Sequence, residues 1–131
     1  MTFKAPVTEQ RFVLDHVARI AALAATETFA AAEPDMVDAI LEGAGALAEG
    51  EWEPNNRTGD TNNPKWHDGT VTMPAGFKDA YKAYVEGGWG TIAGPVDFGG
   101  QGLPNALGFA VTESLGTANM GFCLCPILTS G

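Results

Sequence analysis

The sequence predicts an all-α fold, a helical bundle of about five helices. Apolar residues recur at helical spacing in successive segments, whereas no segment shows a convincing alternation of period two. The positions of the prolines agree with this pattern, because Pro34, Pro74 and Pro104 each stand at or just before the start of a helical segment.

The first predicted helix spans about Thr8 to Ala25. Its apolar positions recur at spacings of three and four residues, and Phe12, His16 and Ile20 are expected to share one face. A packed or interfacial histidine is therefore the expectation for His16, and a catalytic base is the less favoured alternative.

The second helix is predicted to begin at Pro34, with Asp35 in its first turn. Its apolar stripe includes Ile40, Leu41 and Ala44. Pro54 is expected to kink or end it.

The segment from Asn55 to Thr72 is polar and rich in turn residues, which predicts the longest loop of the chain. A short extended piece is predicted at Thr70–Thr72. A third helix is expected from Pro74 to the Gly87-Gly88 pair. Its apolar face would comprise Phe77, Tyr81, Tyr84 and Val85.

A fourth helix follows Pro104, and a fifth covers Asn119 to Leu128. The fifth is apolar on every side, and such a helix belongs inside a larger assembly of helices. We therefore expect either that the chain is the N-terminal portion of a longer protein or that this helix is buried against a partner.

The composition indicates one acidic domain. The chain has 131 residues, a hydrophobic fraction of 45% and a formal net charge of −9. This charge disfavours binding to nucleic acids and to anionic membranes. Two cysteines, no secretory signal and no apolar run of membrane-spanning length predict a cytoplasmic protein.

Residue chemistry alone indicates no active site. The Gly-rich segment from Gly87 to Gly102 matches no phosphate-loop spacing and contains no Lys or Arg, so tight turns are the expectation. His67 is expected at the surface, Glu113 lacks a neighbouring carboxylate, and Cys123 and Cys125 are expected to act as small apolar residues. No metal centre is expected.

Several motifs nevertheless form a recognisable order. Gly87-Gly88-Trp89-Gly90 is followed by Pro95-Val96-Asp97-Phe98-Gly99-Gly100-Gln101-Gly102-Leu103-Pro104 and then by Val111-Thr112-Glu113-Ser114-Leu115. This order resembles the N-terminal helical domain of acyl-CoA dehydrogenases. The resemblance covers residues 34–131, and residues 1–33 resemble the N-terminal extension of one branch of that family.

The resemblance implies an FAD-dependent enzyme of fatty acid metabolism that forms the α,β-double bond of an acyl-CoA and passes electrons to an electron-transferring flavoprotein. In that family most flavin contacts lie in a middle β-domain, and the catalytic glutamate lies in a C-terminal domain in most members. We therefore expect no catalytic residue here, no FAD retained by this chain alone, and a homo-oligomer when the protein is complete.

By position in the family, the fifth helix would wall the acyl pocket. Cys123, Leu124, Ile127 and Leu128 are the predicted substrate-binding residues, and core packing is the alternative for these four. A second hypothesis for the whole chain is an acidic helical interaction module that binds a partner through this same apolar helix.

Overall fold

The computed structural model describes residues 2–129. Within them lie seven α-helices and one small β-hairpin. The helices are α1 (Val7–His16), α2 (Ile20–Ala24), α3 (Pro34–Leu47), α4 (Glu53–Thr61), α5 (Phe77–Glu86), α6 (Asn105–Ala118) and α7 (Met120–Thr129), and the strands are β1 (Lys65–His67) and β2 (Thr70–Thr72). The predicted all-α class is confirmed.

Helices α3 and α6 form the centre of the core. Val37, Leu41 and Ala44 of α3 are buried, as are Leu107 and Leu115 of α6. The α3 positions are three or four residues apart, and on α6 the buried Val111 lies four residues from both Leu107 and Leu115, so each helix buries one continuous stripe. Burial of these residues fixes the position of α6. The end of α6 in turn sets where α7 begins.

An aromatic cluster joins this core to α5 and α7. Trp52 lies in the π-helical turn Ala48–Trp52 that follows α3, and it is completely buried. Its ring centroid lies 4.5 Å from that of Phe122 and 5.7 Å from that of Tyr84, and Phe77 lies 4.9 Å from Phe122. Such tilted aromatic pairs stabilise a core beyond the burial of their area.

Asn119 fixes the start of α7. Its side-chain amide donates to the backbone carbonyl of Trp52 at 3.2 Å, and its side-chain oxygen accepts from the backbone N–H of Phe122 at 3.1 Å. The second bond satisfies one of the backbone donors that a helix start leaves without a partner. Asn119 therefore sets the position of α7 against the core.

The prediction of one helix from Thr8 to Ala25 is wrong. Helix α1 ends at His16, and Arg19 adopts a left-handed conformation with φ 54° before α2 begins at Ile20. Because the chain turns there, Ile20 is buried while Phe12 and His16 are exposed. The His16 ring packs on that of Phe12, with ring centroids 4.6 Å apart.

The prediction of a long loop over Asn55–Thr72 is wrong in its first part, whereas the extended piece predicted at Thr70–Thr72 is confirmed as β2. Its first part belongs to α4, and its last part contains the antiparallel hairpin in which Lys65 pairs with Thr72. Pro54 is the second residue of α4 and follows the π-helical turn Ala48–Trp52, where the regular hydrogen-bond pattern of the helix is already interrupted. Helix α4 buries no residue and so leaves no apolar periodicity to detect.

The N-terminal segment is bound to the core by polar contacts. The Glu49 carboxylate accepts hydrogen bonds from the Lys4 ammonium at 2.5 Å and from the backbone N–H of Ala5 at 2.9 Å. The buried Gln10 amide donates to the carbonyl of Ala110 at 3.0 Å and to the hydroxyl of Ser114 at 3.0 Å. The segment before α1 is thereby attached to the π-helical turn that follows α3, and α1 is attached to α6.

The Gly-rich segment forms the tight turns that the sequence predicts. The backbone N–H groups of Gln101, Gly102 and Leu103 donate to the carbonyls of Thr91, Gly94 and Ile92 at 2.9–3.0 Å. These donors are therefore used inside the segment. The preceding turn seats Trp89 against α3 at Gly43, where a β-carbon would lie only 2.7 Å from the indole ring.

Candidate apolar binding site

Helix α7 has two different sides. Phe122 and Cys123 are 7% and 1% exposed, because they pack onto the aromatic cluster and α6. Leu124, Ile127 and Leu128 are 51%, 38% and 80% exposed. The described residues thus cover one side of an apolar helix and leave the other open.

A groove lies between α6, α7 and the segment that follows α5, and we call it the α6–α7 groove. Its volume is about 350 Å³, within the range of sites that hold small ligands. Its lining residues are Tyr84, Trp89, Phe109, Val111, Thr112, Leu115, Cys123, Pro126 and Ile127.

Two of the four predicted substrate-binding residues line this groove. Cys123 and Ile127 are one helical turn apart and lie together on its α7 wall. Leu124 and Leu128 are also one turn apart, but neither lines the groove, and both remain exposed. The structure therefore divides the predicted set between the groove and the open side of α7.

Sequence reasoning missed the wall opposite α7. Tyr84 and Trp89 come from the end of α5 and the turn after it, and Phe109 and Thr112 come from α6. The spacing of three residues between Phe109 and Thr112 places them on one face of α6, which is a signal that the sequence does contain. What the sequence did not indicate is that Trp89 turns back towards that face.

No charged side chain lines the groove. Burial raises the pKa of the Cys123 thiol, so the thiol is held in its neutral form. Burial is also the main cause that raises the pKa of the Tyr84 hydroxyl. The Thr112 hydroxyl already donates to the carbonyl of Gly108 at 3.0 Å. The lining is thus suited to an apolar ligand and offers no general base.

Glu113 does not serve the groove as a base either. Its carboxylate accepts a hydrogen bond from Gln10 at 2.9 Å, on the side of α6 that faces α1. In residues 2–129 no cluster of three or more His, Cys, Asp or Glu side chains could hold a metal ion. Over the same residues, no helix combines the length and hydropathy that crossing a membrane requires.

Neither the α6–α7 groove nor the Gly-rich segment fits the pyrophosphate of FAD. A flavin dinucleotide needs donors or cations for its pyrophosphate, and the α6–α7 groove has no Lys or Arg in its lining. The Gly-rich segment contains no cation, and the N–H groups of Gln101, Gly102 and Leu103 are bonded within it. The groove fits an apolar chain better than a charged cofactor.

Comparison with known proteins points to the same class as the motifs. A comparison with models of protein families finds no match. A match to a curated protein confirms the resemblance to acyl-CoA dehydrogenases and extends over the whole of this chain. That relative is the 3-methylmercaptopropionyl-CoA dehydrogenase of Ruegeria pomeroyi, and 37% of 131 residues are identical. The chain spans 22% of the relative's length.

Proposed function

We propose that this chain is the acyl-side helical part of an FAD-dependent acyl-CoA dehydrogenase, an enzyme that introduces an α,β-double bond into an acyl-CoA. Its α6–α7 groove and the open side of α7 would form one wall of the acyl pocket. Cys123, Leu124, Ile127 and Leu128 remain the proposed substrate-binding residues. In this assignment Cys123 and Ile127 line the groove, while Leu124 and Leu128 extend the wall beyond it.

The observation that carries this proposal is the open apolar side of α7 beside an uncharged groove. An apolar surface exposed to water is unfavourable unless a ligand or another surface covers it. An acyl chain matches the groove because it needs no hydrogen bonds and no counter-charge. The relative's name supports the same ligand class, since that protein is described as acting on an acyl-CoA.

A 3-methylmercaptopropionyl group is the first acyl group to test. It is the group in the relative's name, and its thioether sulfur would meet Trp89 and Phe109, which line the groove. Sulfur–aromatic contacts are favourable by about 0.3–1.5 kcal/mol. Straight-chain acyl-CoAs of similar length are the matched comparison.

The chemistry would require groups beyond the described residues. The groove offers no base and no flavin site, so we propose that a polypeptide of these 131 residues alone is inactive and retains no FAD. A flavin absorbance band that survives desalting of that polypeptide would contradict this part. Electron-transferring flavoprotein and assembly into a homo-oligomer belong to the same proposal for the complete enzyme.

A charge placed in the groove tests the acyl-pocket role. In the complete enzyme, Ile127→Asp should weaken acyl-CoA binding at least about tenfold, because its carboxylate would be buried against the acyl chain of the ligand. The matched control is Val96→Asp, which adds the same charge at an exposed position outside the groove. Affinity for CoA alone should change in neither variant.

Equal effects of the two substitutions would contradict the acyl-pocket role. Unchanged acyl-CoA affinity in a correctly folded Ile127→Asp variant would contradict it as well. Circular dichroism of both variants establishes that the fold is retained.

The exposure of Leu124 and Leu128 also favours a second candidate, an interaction module that binds a protein partner through α7. The two candidates differ in what covers this side. If Leu124→Asp abolishes a protein complex while acyl-CoA does not bind the unaltered protein, the interaction module is favoured over the dehydrogenase.

A further inference from the structure

A second apolar groove lies on the other flank of α7, and we call it the hairpin groove. It runs between the β-hairpin, α5 and α7, and its volume is about 570 Å³. Its lining residues are Val71, Thr72, Met73, Pro74, Phe77, Lys78, Tyr81, Phe122 and Cys125. It shares no lining residue with the α6–α7 groove.

Aromatic rings make the floor of the hairpin groove. Phe122 of α7 lies 4.9 Å from Phe77 and 6.5 Å from Tyr81, measured between ring centroids. Phe77 and Tyr81 are one turn apart on α5 and therefore lie on the same face. Because Phe122 and Phe77 are buried in the core, this floor is fixed by the fold.

The charge of the groove is opposite to that of the chain. The chain carries sixteen Asp and Glu against seven Lys and Arg, yet the groove is lined by no carboxylate and by one cation, Lys78. In residues 2–129 the ion pairs engage Lys4, Arg11 and Lys82, and none engages Lys78. The Lys78 ammonium is therefore available to an anion from outside.

The position of Lys78 suits a ligand with an apolar body and an anionic end. A lysine can lay its aliphatic stem along an apolar wall and keep its ammonium in water at the rim. Lys78 lies beside Phe77, so the apolar floor and the positive charge belong to the same turn of α5.

We propose that the hairpin groove binds an amphiphilic anion, a single aliphatic chain that ends in a carboxylate or a phosphate. The chain would lie against Met73, Phe77 and Phe122, and the anionic end would pair with Lys78. The volume of the groove lies within the range of small-ligand sites. The proposal does not depend on the acyl-pocket role, because the two grooves share no lining residue.

Two lysines of α5 provide a matched test. Lys78→Gln and Lys82→Gln remove the same charge one helical turn apart, but only Lys78 lines the groove. Dodecanoate and dodecyl phosphate are the anionic probes, and dodecanol is the neutral one. Affinity is measured by calorimetric titration below the micelle concentration of the two anionic probes and below the solubility limit of dodecanol.

Saturable binding of one anionic probe per chain is expected. Lys78→Gln should weaken it about tenfold, because a charge-assisted contact is lost, while Lys82→Gln should leave it unchanged. Dodecanol should bind both lysine variants equally. Added salt should weaken the binding of dodecanoate more than that of dodecanol. Whichever anion binds more tightly identifies the headgroup class.

Three results would overturn the proposal. Equal losses in the two lysine variants would indicate general attraction of anions to α5. Loss of binding in Ile127→Asp but not in Met73→Asp would place the probe in the α6–α7 groove instead. Binding to anionic vesicles without binding of the monomeric probes would identify a membrane surface as the ligand. Met73 is exposed, so Met73→Asp should fold and provide a second variant for this groove.

Discussion

The two sides of α7 have similar composition and opposite environments. On the inner side Phe122 and Cys123 are enclosed by Trp52, Phe77 and α6, whereas on the outer side the leucines face solvent. Hydrophobic character therefore does not by itself decide which residues of this helix stabilise the fold. The inner residues belong to the core, and the outer ones are available to a ligand or another surface.

The two sides of α7 should therefore contribute differently to the free energy of unfolding. Phe122 contacts the buried rings of Trp52 and Phe77 and the exposed ring of Tyr81, so its loss would leave a cavity beside two core residues whose positions are fixed. Leu128 is mostly exposed and contributes little burial to lose. Substitutions on the two sides should therefore separate stability from binding.

The largest effect is expected from Phe122→Ala. Truncating a buried phenylalanine costs about 3–5 kcal/mol of unfolding free energy through lost burial and cavity formation. Urea unfolding followed by circular dichroism measures this cost. A cost below about 1 kcal/mol would show that the inner side of α7 is not part of the core.

The two cysteines should differ strongly in their reactivity. Cys123 is buried and burial raises the pKa of its thiol, while Cys125 is exposed. A raised pKa means less thiolate at any pH below it, so alkylation of Cys123 should be at least about tenfold slower at pH 8. Mass spectrometry of iodoacetamide-treated protein measures both rates. Equal rates would show that α7 detaches readily from α6.

A charge on the outer side should change solubility more than stability. Leu124→Asp is expected to raise the concentration at which the chain stays in solution, because it removes exposed apolar surface. Its effect on helical circular dichroism should be small. Complete loss of the helical signal would instead mark Leu124 as interior.

The smallest effect is expected from Leu128→Ala. An exposed side chain that packs against nothing in the core should change the unfolding free energy by no more than about 0.5 kcal/mol. Differential scanning calorimetry beside Phe122→Ala gives the comparison. A destabilisation as large as that of Phe122→Ala would abolish the distinction between the two sides.

The helices that carry a buried apolar stripe could be predicted from the sequence. Pro34 and the stripe through Leu41 located α3, and Pro104 followed by Leu107 located α6. In each case the pattern and the helix start agree, and burial then stabilises what they indicate. The apolar character of α7 and its incomplete coverage were predicted in the same way.

The elements that carry no buried stripe were missed. Helix α4 continues the helical path of the preceding π-helical turn and buries nothing, so apolar periodicity could not reveal it. The break between α1 and α2 depends on the left-handed backbone conformation of Arg19, which no sequence motif predicted. For the hairpin, the extended piece at Thr70–Thr72 was predicted, but the strand that pairs with it, Lys65–His67, was not.

The candidate site was only half predictable for a related reason. Cys123 and Ile127 could be paired by helical spacing along α7. The opposite wall depends on where the Gly-rich turn places Trp89, which is a tertiary contact with Gly43 rather than a local pattern. Spacing along one helix therefore found one wall and missed the other.

The most direct test of the acyl-pocket role is a photo-crosslinking map. An acyl-CoA with a diazirine at the end of its acyl chain is irradiated with the polypeptide that contains these residues, and the labelled positions are found by mass spectrometry. We expect labels on the outer side of α7 and across the groove, at Ile127, Leu128 and Phe109, and competition by unlabelled acyl-CoA. Labels confined to other surfaces, or labels that unlabelled acyl-CoA does not displace, would contradict the role of α7 as a wall of the acyl pocket.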